Sequence, residues 1–76
     1  MNKYINNVTD ILIKNGFTKN DDYSFYNGKC DVIIHTGGNG FYEVMYENGS
    51  MFSNSLEIYW LIGVLIYYDY IDNFVK

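Results

Sequence analysis

The spacing of apolar residues changes period twice along this chain, from helical to alternating and back again. Tyr4 or Ile5, Val8 and Ile11 or Leu12 fall on one helical stripe, polar Asn6, Asn7, Asp10 and Lys14 lie elsewhere, and the pattern stops at Asn15-Gly16. This predicts an amphipathic N-terminal helix with a glycine at its C-terminal end. Asn2 is the expected N-cap, its side chain accepting from free first-turn amides. Phe17 leads into a polar connector, Thr18 to Asp21. Asp22 to Tyr26, Lys29 to His35, Phe41 to Glu47 and Ser50 to Phe52 then read as strands, rich in aromatic and β-branched residues. Asn27-Gly28, the loop Thr36-Gly37-Gly38-Asn39-Gly40, and Asn48-Gly49 separate them. Helical spacing returns at Asn54, where Glu57 three residues on has the capping-box position, and a helix is expected from Ser55 to about Tyr70. The predicted fold is α+β: an N-terminal helix, a four-stranded antiparallel meander sheet in the order 1-2-3-4, and a C-terminal helix packed on one sheet face. All of it forms a single domain spanning residues 1–76.

Two-residue Asn-Gly turns set strand register, so the faces of the sheet can be read from the sequence. Asn27-Gly28 at a tip pairs Tyr26 with Lys29 and Phe25 with Cys30. The five-residue loop pairs His35 with Phe41, Ile34 with Tyr42, Ile33 with Glu43, Val32 with Val44 and Asp31 with Met45. Asn48-Gly49 pairs Glu47 with Ser50, Tyr46 with Met51 and Met45 with Phe52. All three turns sort the residues alike. Tyr23, Phe25, Cys30, Val32, Ile34, Tyr42, Val44, Tyr46 and Met51 share an apolar face, the expected core side. Asp22, Ser24, Tyr26, Lys29, Asp31, Ile33, His35, Phe41, Glu43, Met45, Glu47 and Phe52 share the other. The last helix is apolar all round: Leu56, Tyr59, Trp60, Gly63, Ile66 or Tyr67 and Tyr70 line one stripe, Leu61, Val64, Leu65 and Tyr68 the opposite side. Such a helix wants burial on more than one side.

Charge narrows the classes of partner. Nine acids oppose five lysines, there is no arginine, and the net charge is −4. Contacts to phosphate rely on arginine forks and lysine charge, so direct nucleic-acid binding is not expected. An acidic surface attracts a basic partner instead, although ordinary solubility accounts for the same net charge. The single cysteine, Cys30, excludes an intrachain disulfide and points to a reduced, cytoplasmic setting. The polar start Met1-Asn2-Lys3-Tyr4-Ile5-Asn6-Asn7 does not read as a signal peptide. The eleven apolar residues Ile58 to Tyr68 fall short of the roughly 20 that a spanning helix needs, so no membrane insertion is expected.

No stretch carries a catalytic or cofactor pattern. His35-Thr36-Gly37-Gly38-Asn39-Gly40 has the glycines of a phosphate loop, but a strand follows where such loops need a helix, and it reads as a hairpin loop. Cys30 and His35 fall on opposite faces, which disfavours a nucleophilic pair. Asp21, Asp22 and Asp31 match no calcium loop. Glu43 and Glu47 lie roughly 13 Å apart along a strand, too far for a paired-carboxylate site. The expectation is a protein that is not an enzyme and needs no cofactor or metal.

The outer face is the unusual feature. A solvent-facing sheet carries mostly Thr, Lys and Glu, whereas Tyr26, Ile33, Phe41, Met45 and Phe52 make an apolar strip among carboxylates. Either a helix of the chain caps it, or it binds a basic protein surface. The segment Tyr46-Glu47-Asn48-Gly49-Ser50-Met51-Phe52-Ser53-Asn54-Ser55-Leu56-Glu57-Ile58-Tyr59-Trp60-Leu61-Ile62-Gly63-Val64-Leu65 resembles small accessory proteins encoded by phages of AT-rich bacteria. In size, charge and style the chain resembles anti-CRISPR proteins, short and often acidic phage proteins that bind and block host defence complexes. That resemblance implies an inhibitor in the host cytoplasm that occupies a nucleic-acid or subunit-binding surface of a basic host protein or nucleoprotein complex. It carries over no family residue.

On this reading the partner-binding residues are Tyr26, Asp31, Ile33, Glu43, Met45, Glu47 and Phe52. A second reading is a homodimer or larger homo-oligomer, a structural or virion-assembly component joined through Leu61, Leu65 and Tyr68. A third is a small-ligand sequestering protein with an aromatic pocket between subunits.

Overall fold

A computed structural model describes residues 3–72, and their side chains from residue 7 onward. The element order is α1 (Lys3–Lys14), β1 (Thr18–Asp21), β2 (Ser24–Tyr26), β3 (Asp31–His35), β4 (Phe41–Tyr46), β5 (Gly49–Phe52) and α2 (Ile58–Tyr67). The class is α+β as expected, but the antiparallel sheet has five strands in the order β1-β2-β3-β4-β5.

Helix α1 buries Val8 and Leu12 and ends as its sequence predicts. The Phe17 N–H donates to Leu12 O (3.0 Å) and the Gly16 N–H to Ile13 O (3.2 Å), the paired bonds of a Schellman cap, and the Phe17 ring turns into the core. The expected Asn2 cap and the side chains of Tyr4 and Ile5 lie outside the described residues.

The polar connector is itself the extra strand. Thr18-Lys19-Asn20-Asp21 is exposed at all four positions, so no alternation marks it. It pairs antiparallel with β2, Thr18 opposite Tyr26 and Lys19 opposite Phe25, with an irregularity before Asp21. A polar, charged edge of this kind discourages pairing with other chains. The turn beyond it is closed by Asp21 Oδ1, which accepts from the Tyr23 N–H at 2.8 Å. Asp22 and Tyr23 therefore lie in a turn, not in a strand. Tyr23, expected on the core face, is exposed.

The central hairpin keeps the predicted register, Asp31 opposite Met45 through His35 opposite Phe41. Both flanking hairpins differ from it by one turn position. In the first, Tyr26 pairs with Asp31 and Phe25 with Val32, which puts Gly28-Lys29 at the tip. Asn27 stands just before the tip because its Oδ1 accepts from the amides of Lys29 (2.9 Å) and Cys30 (3.0 Å), leaving Gly28 to take the positive φ of 88°. In the last, Tyr46 pairs with Gly49 and Val44 with Met51, so the tip is Glu47-Asn48. Gly49 admits the Tyr46 ring across the strands, with the Tyr46 hydroxyl 3.3 Å from where a Cβ would stand. Each shift moves the pairing by two residues, so the faces survive.

Phe25, Cys30, Val32, Ile34, Tyr42 and Val44 line the buried face and form one cluster with Val8, Leu12, Phe17, Leu61, Leu65 and Ile71. Both helices thus lie on the same side of the sheet. Tyr42 joins this core to the link between sheet and α2. Its N–H donates to Ser53 Oγ (2.7 Å), its carbonyl accepts from the Ser53 N–H (2.9 Å), and its hydroxyl donates to Leu56 O (2.8 Å). The Ser53 hydroxyl in turn donates to Ser55 O at 2.6 Å. The carbonyls that would open a helix at Ser55 are therefore held by side chains. Helix α2 begins at Ile58 instead, with Glu57 as its N-cap accepting from the Tyr59 N–H. Gly40 lies under the same link, at φ 79°, where a Cβ would come within 2.7 Å of Leu56 Cδ1.

At its far end α2 stops after Tyr67, short of the predicted Tyr70. The Tyr70 N–H donates to Leu65 O (2.9 Å) and the Asp69 N–H to Ile66 O (3.1 Å), again a Schellman pair, with Asp69 in the left-handed region at φ 58°. The segment beyond is fastened to the β2–β3 tip: Asn27 Nδ2 donates to Tyr70 O (2.7 Å) and Lys29 Nζ reaches Asp72 Oδ1 (3.2 Å). An L-residue other than glycine is strained at the Asp69 position, so Asp69→Gly should stabilise the fold by up to about 1 kcal/mol in urea unfolding. An unchanged or lowered midpoint would contradict this.

Candidate functional site

With both helices on the core side, the opposite sheet face stands open among the described residues. Alternation along the strands dictates what it shows. Side by side run Thr18, Tyr26, Asp31, Met45 and Ser50, then Ser24, Ile33, Glu43 and Phe52, then His35 and Phe41. Tyr26 is 46% exposed, Met45 38% and Phe52 58%, while Ile33 is half-buried between its neighbours. These four expected partner-binding residues lie on one surface. Asp31 is exposed beside Tyr26 and Met45.

The carboxylates play unequal parts. Glu43 Oε1 lies 2.9 Å from His35 Nε2, and the Glu43 side chain is only 16% exposed. A carboxylate accepts, so the imidazole N–H is the donor. His35 stacks on Phe41 (ring centroids 4.5 Å apart), and Phe41 meets Phe52 at 6.0 Å. Glu43 therefore braces an aromatic row more than it projects charge. Glu47 sits on the β4–β5 tip, off the strand face but at its end. His35 and Phe41 belong to the same surface but not to the expected binding set. The diagonal His35–Glu43 contact follows from the central register, which pairs Ile33 with Glu43 and His35 with Phe41.

Two shallow depressions, of about 510 and 360 Å³, meet at Tyr26 and Asp31. The larger runs between the two tips, past Lys29, Met45 and Glu47; the smaller runs along Asn20, Ser24 and Ile33 toward β1. The Lys29 ammonium is engaged with Asp72, so Asp31 and Glu47 set the sign of the larger groove. This is a broad surface with aromatic and apolar groups along it and an acidic end.

The oligomer residues fare differently. Leu61 and Leu65 are buried in the chain's own core and are not available to a second copy; only Tyr68, at the C-cap of α2, is exposed. The outward side of α2 consists instead of Tyr59, Gly63, Ile66 and Tyr67.

Cys30 lies in the core and His35 on the outer face, as the parity of the strands requires. Burial pushes the Cys30 thiol up to about 12, and the same cause raises the Tyr42 hydroxyl to about 12. Both groups keep protons that the unfolded chain releases at lower pH. Their contribution to stability is complete below the ordinary thiol value of 9.0 and is lost as pH rises toward about 12. A thiol reagent at mildly alkaline pH should therefore label Cys30 only at the rate of unfolding. Immediate, stoichiometric labelling of the native protein would show the thiol to be accessible. Among the described residues no group of three or more His, Cys, Asp or Glu is placed to hold a metal, and no helix is long and apolar enough to cross a membrane.

Comparison with known proteins leaves the chain on its own geometry: no family model, no curated protein and no solved structure matches it.

Proposed function

We propose that this chain is a non-catalytic binding protein that docks its open sheet face on a basic protein surface. The carrying observation is the exposure of Tyr26, Met45 and Phe52 on one face that no described element covers, ended by Asp31 and Glu47. Aromatic and methionine anchors with a polar rim are the composition of interface centres. Carboxylates at the margin add attraction and register toward a cationic partner.

The specific form of this reading is a phage-type inhibitor in the host cytoplasm. It covers the basic, nucleic-acid-binding groove of a host defence complex, as the likeness in size, acidity and style to anti-CRISPR proteins suggests. Asp31 and Glu47 take the place of phosphates, while Tyr26, Met45 and Phe52 hold the complex together.

The test is co-expression of the chain with individual bacterial defence systems, scoring restored phage plating. The wild type should restore plating against at least one system, and Asp31→Lys with Glu47→Lys should abolish the effect at equal expression. Full inhibition by the charge-reversed protein would overturn the sheet-face reading. No inhibition of any system by the wild type would overturn the inhibitor reading and leave the docking surface to another basic partner.

A further inference from the structure

A second surface, independent of the sheet face, lies on α2. From Ile58 to Tyr68 the chain carries no charged residue. Only Leu61 and Leu65 of the helix are fully buried, which leaves its outward side apolar and aromatic. Tyr59 and Tyr67 are 78% and 79% exposed, and Ile66 is close to half exposed. Tyr59, Gly63, Ile66 and Tyr67 follow one another at spacings of four, three and one, so they share a single helical stripe with Gly63 at its middle.

Gly63 is the anomaly. A mid-helix glycine is less favourable than alanine, and nothing among the described residues asks for it. Its φ is not in the left-handed region, and an added Cβ would meet no atom within 4 Å. A bare backbone at the centre of an exposed apolar stripe lets another helix approach closely.

We infer that this stripe is a homodimer interface, with α2 of one copy crossing α2 of a second at Gly63. Charge selects the occupant. Two copies of net charge −4 repel wherever their carboxylates meet, and the uncharged stretch of α2 is where they can touch without doing so. A basic partner finds no carboxylate on this stripe, and a lipid surface finds no Lys or Arg to hold its headgroups. The stripe is also self-complementary about a two-fold axis through Gly63, where Tyr59 of each copy meets Tyr67 of the other. The exposed parts of Tyr59, Ile66 and Tyr67 amount to roughly 800–1,000 Å² for the pair, taking aromatic side-chain areas as a guide, at or just under the lower bound for specific association. The dimer is therefore weak and concentration-dependent.

Sedimentation velocity of the full chain across a concentration series tests this. The wild type should pass from monomer to dimer. Gly63→Ala should raise the melting temperature by several degrees and weaken association about tenfold or more, two effects that only an intermolecular role for the bare backbone produces together. Tyr59→Glu, acidic in the first helical turn where the helix dipole favours it, should leave the melt unchanged and the protein monomeric. Phe52→Asp on the sheet should leave the dimer intact. A monomer throughout the series, or a dimer indifferent to both α2 variants, overturns the proposal. So does loss of the dimer with Phe52→Asp alone, which would put the interface on the sheet, or binding of a monomeric chain to neutral phosphatidylcholine vesicles, which would assign the stripe to lipid.

Discussion

Tyr42→Ala should leave the domain largely unfolded near its former melting temperature. The side chain has no exposure to solvent and sits between sheet and helices. Truncating an aromatic in such a place costs about 3–5 kcal/mol. A domain of 76 residues has roughly 4–11 kcal/mol to lose. Tyr42→Phe separates packing from the hydroxyl. It keeps the ring, orphans Leu56 O, and should cost about 1–2 kcal/mol, or several degrees in melting temperature. Ser53→Ala, which strips the Tyr42 N–H of its acceptor and frees Ser55 O, should cost about as much. Because both changes loosen the same link, the double variant should depart from additivity. Urea unfolding of the four proteins measures the coupling. Strict additivity would mean that Tyr42 and Ser53 hold the β5–α2 link independently.

The opposite profile is expected on the outer face. Tyr26→Asp together with Phe52→Asp should weaken binding to the cognate partner by about 100-fold or more, since buried anchors of an interface are each worth about 2 kcal/mol. The melting temperature should move by little, because both side chains are already about half in solvent and exposed substitutions stay within about 0.5 kcal/mol. Charge reversal at Asp31 and Glu47 should act differently, slowing association and flattening its salt dependence more than it speeds dissociation. Surface plasmon resonance over a salt series distinguishes the two. If the apolar pair altered only stability, or the acidic pair only dissociation, the assignment of anchors and rim would be wrong.

How much of this was legible in the sequence depended on whether side chains or backbone carried the information. The core face was readable because strand parity groups Phe25, Val32, Ile34, Tyr42 and Val44 together, and parity survives a two-residue shift of register. Strand β1 was invisible, since Thr18 to Asp21 is exposed at every position and shows no alternation. The start of α2 was misplaced because Asn54 and Glu57 have capping-box spacing, while Tyr42 and Ser53, far off in sequence or outside the helix, hold the carbonyls that helix would need. Its end was missed because Asp69, not glycine, takes the left-handed turn. The orientation of α2 was the costliest gap: a helix apolar all round gives no direction, and Leu61 and Leu65 turned inward while the tyrosines turned out. Gly63 was the available clue, since a core stripe seldom wastes a position on a residue with no side chain to bury. Of the candidate binding residues, the backbone parity placed Tyr26, Asp31, Ile33, Met45 and Phe52 together. It could not foresee that His35 would hold Glu43 or that Glu47 would ride on a tip.

The paired slip of the two hairpin tips bears on how this chain can vary. Each tip stands one residue from its expected place, and every side chain that remains paired in the ladder still faces the same way. Relatives that add or drop two residues at Gly28-Lys29 or Glu47-Asn48 would merely lengthen or shorten a hairpin and keep the outer surface. A change of one residue keeps the faces only where it is absorbed at the tip, as a bulge or an odd-length loop like the five-residue one between His35 and Phe41; carried into the ladder it would turn a strand inside out. Odd changes of length at these tips should therefore bring a glycine able to take the bulged, positive-φ position, while even ones need none.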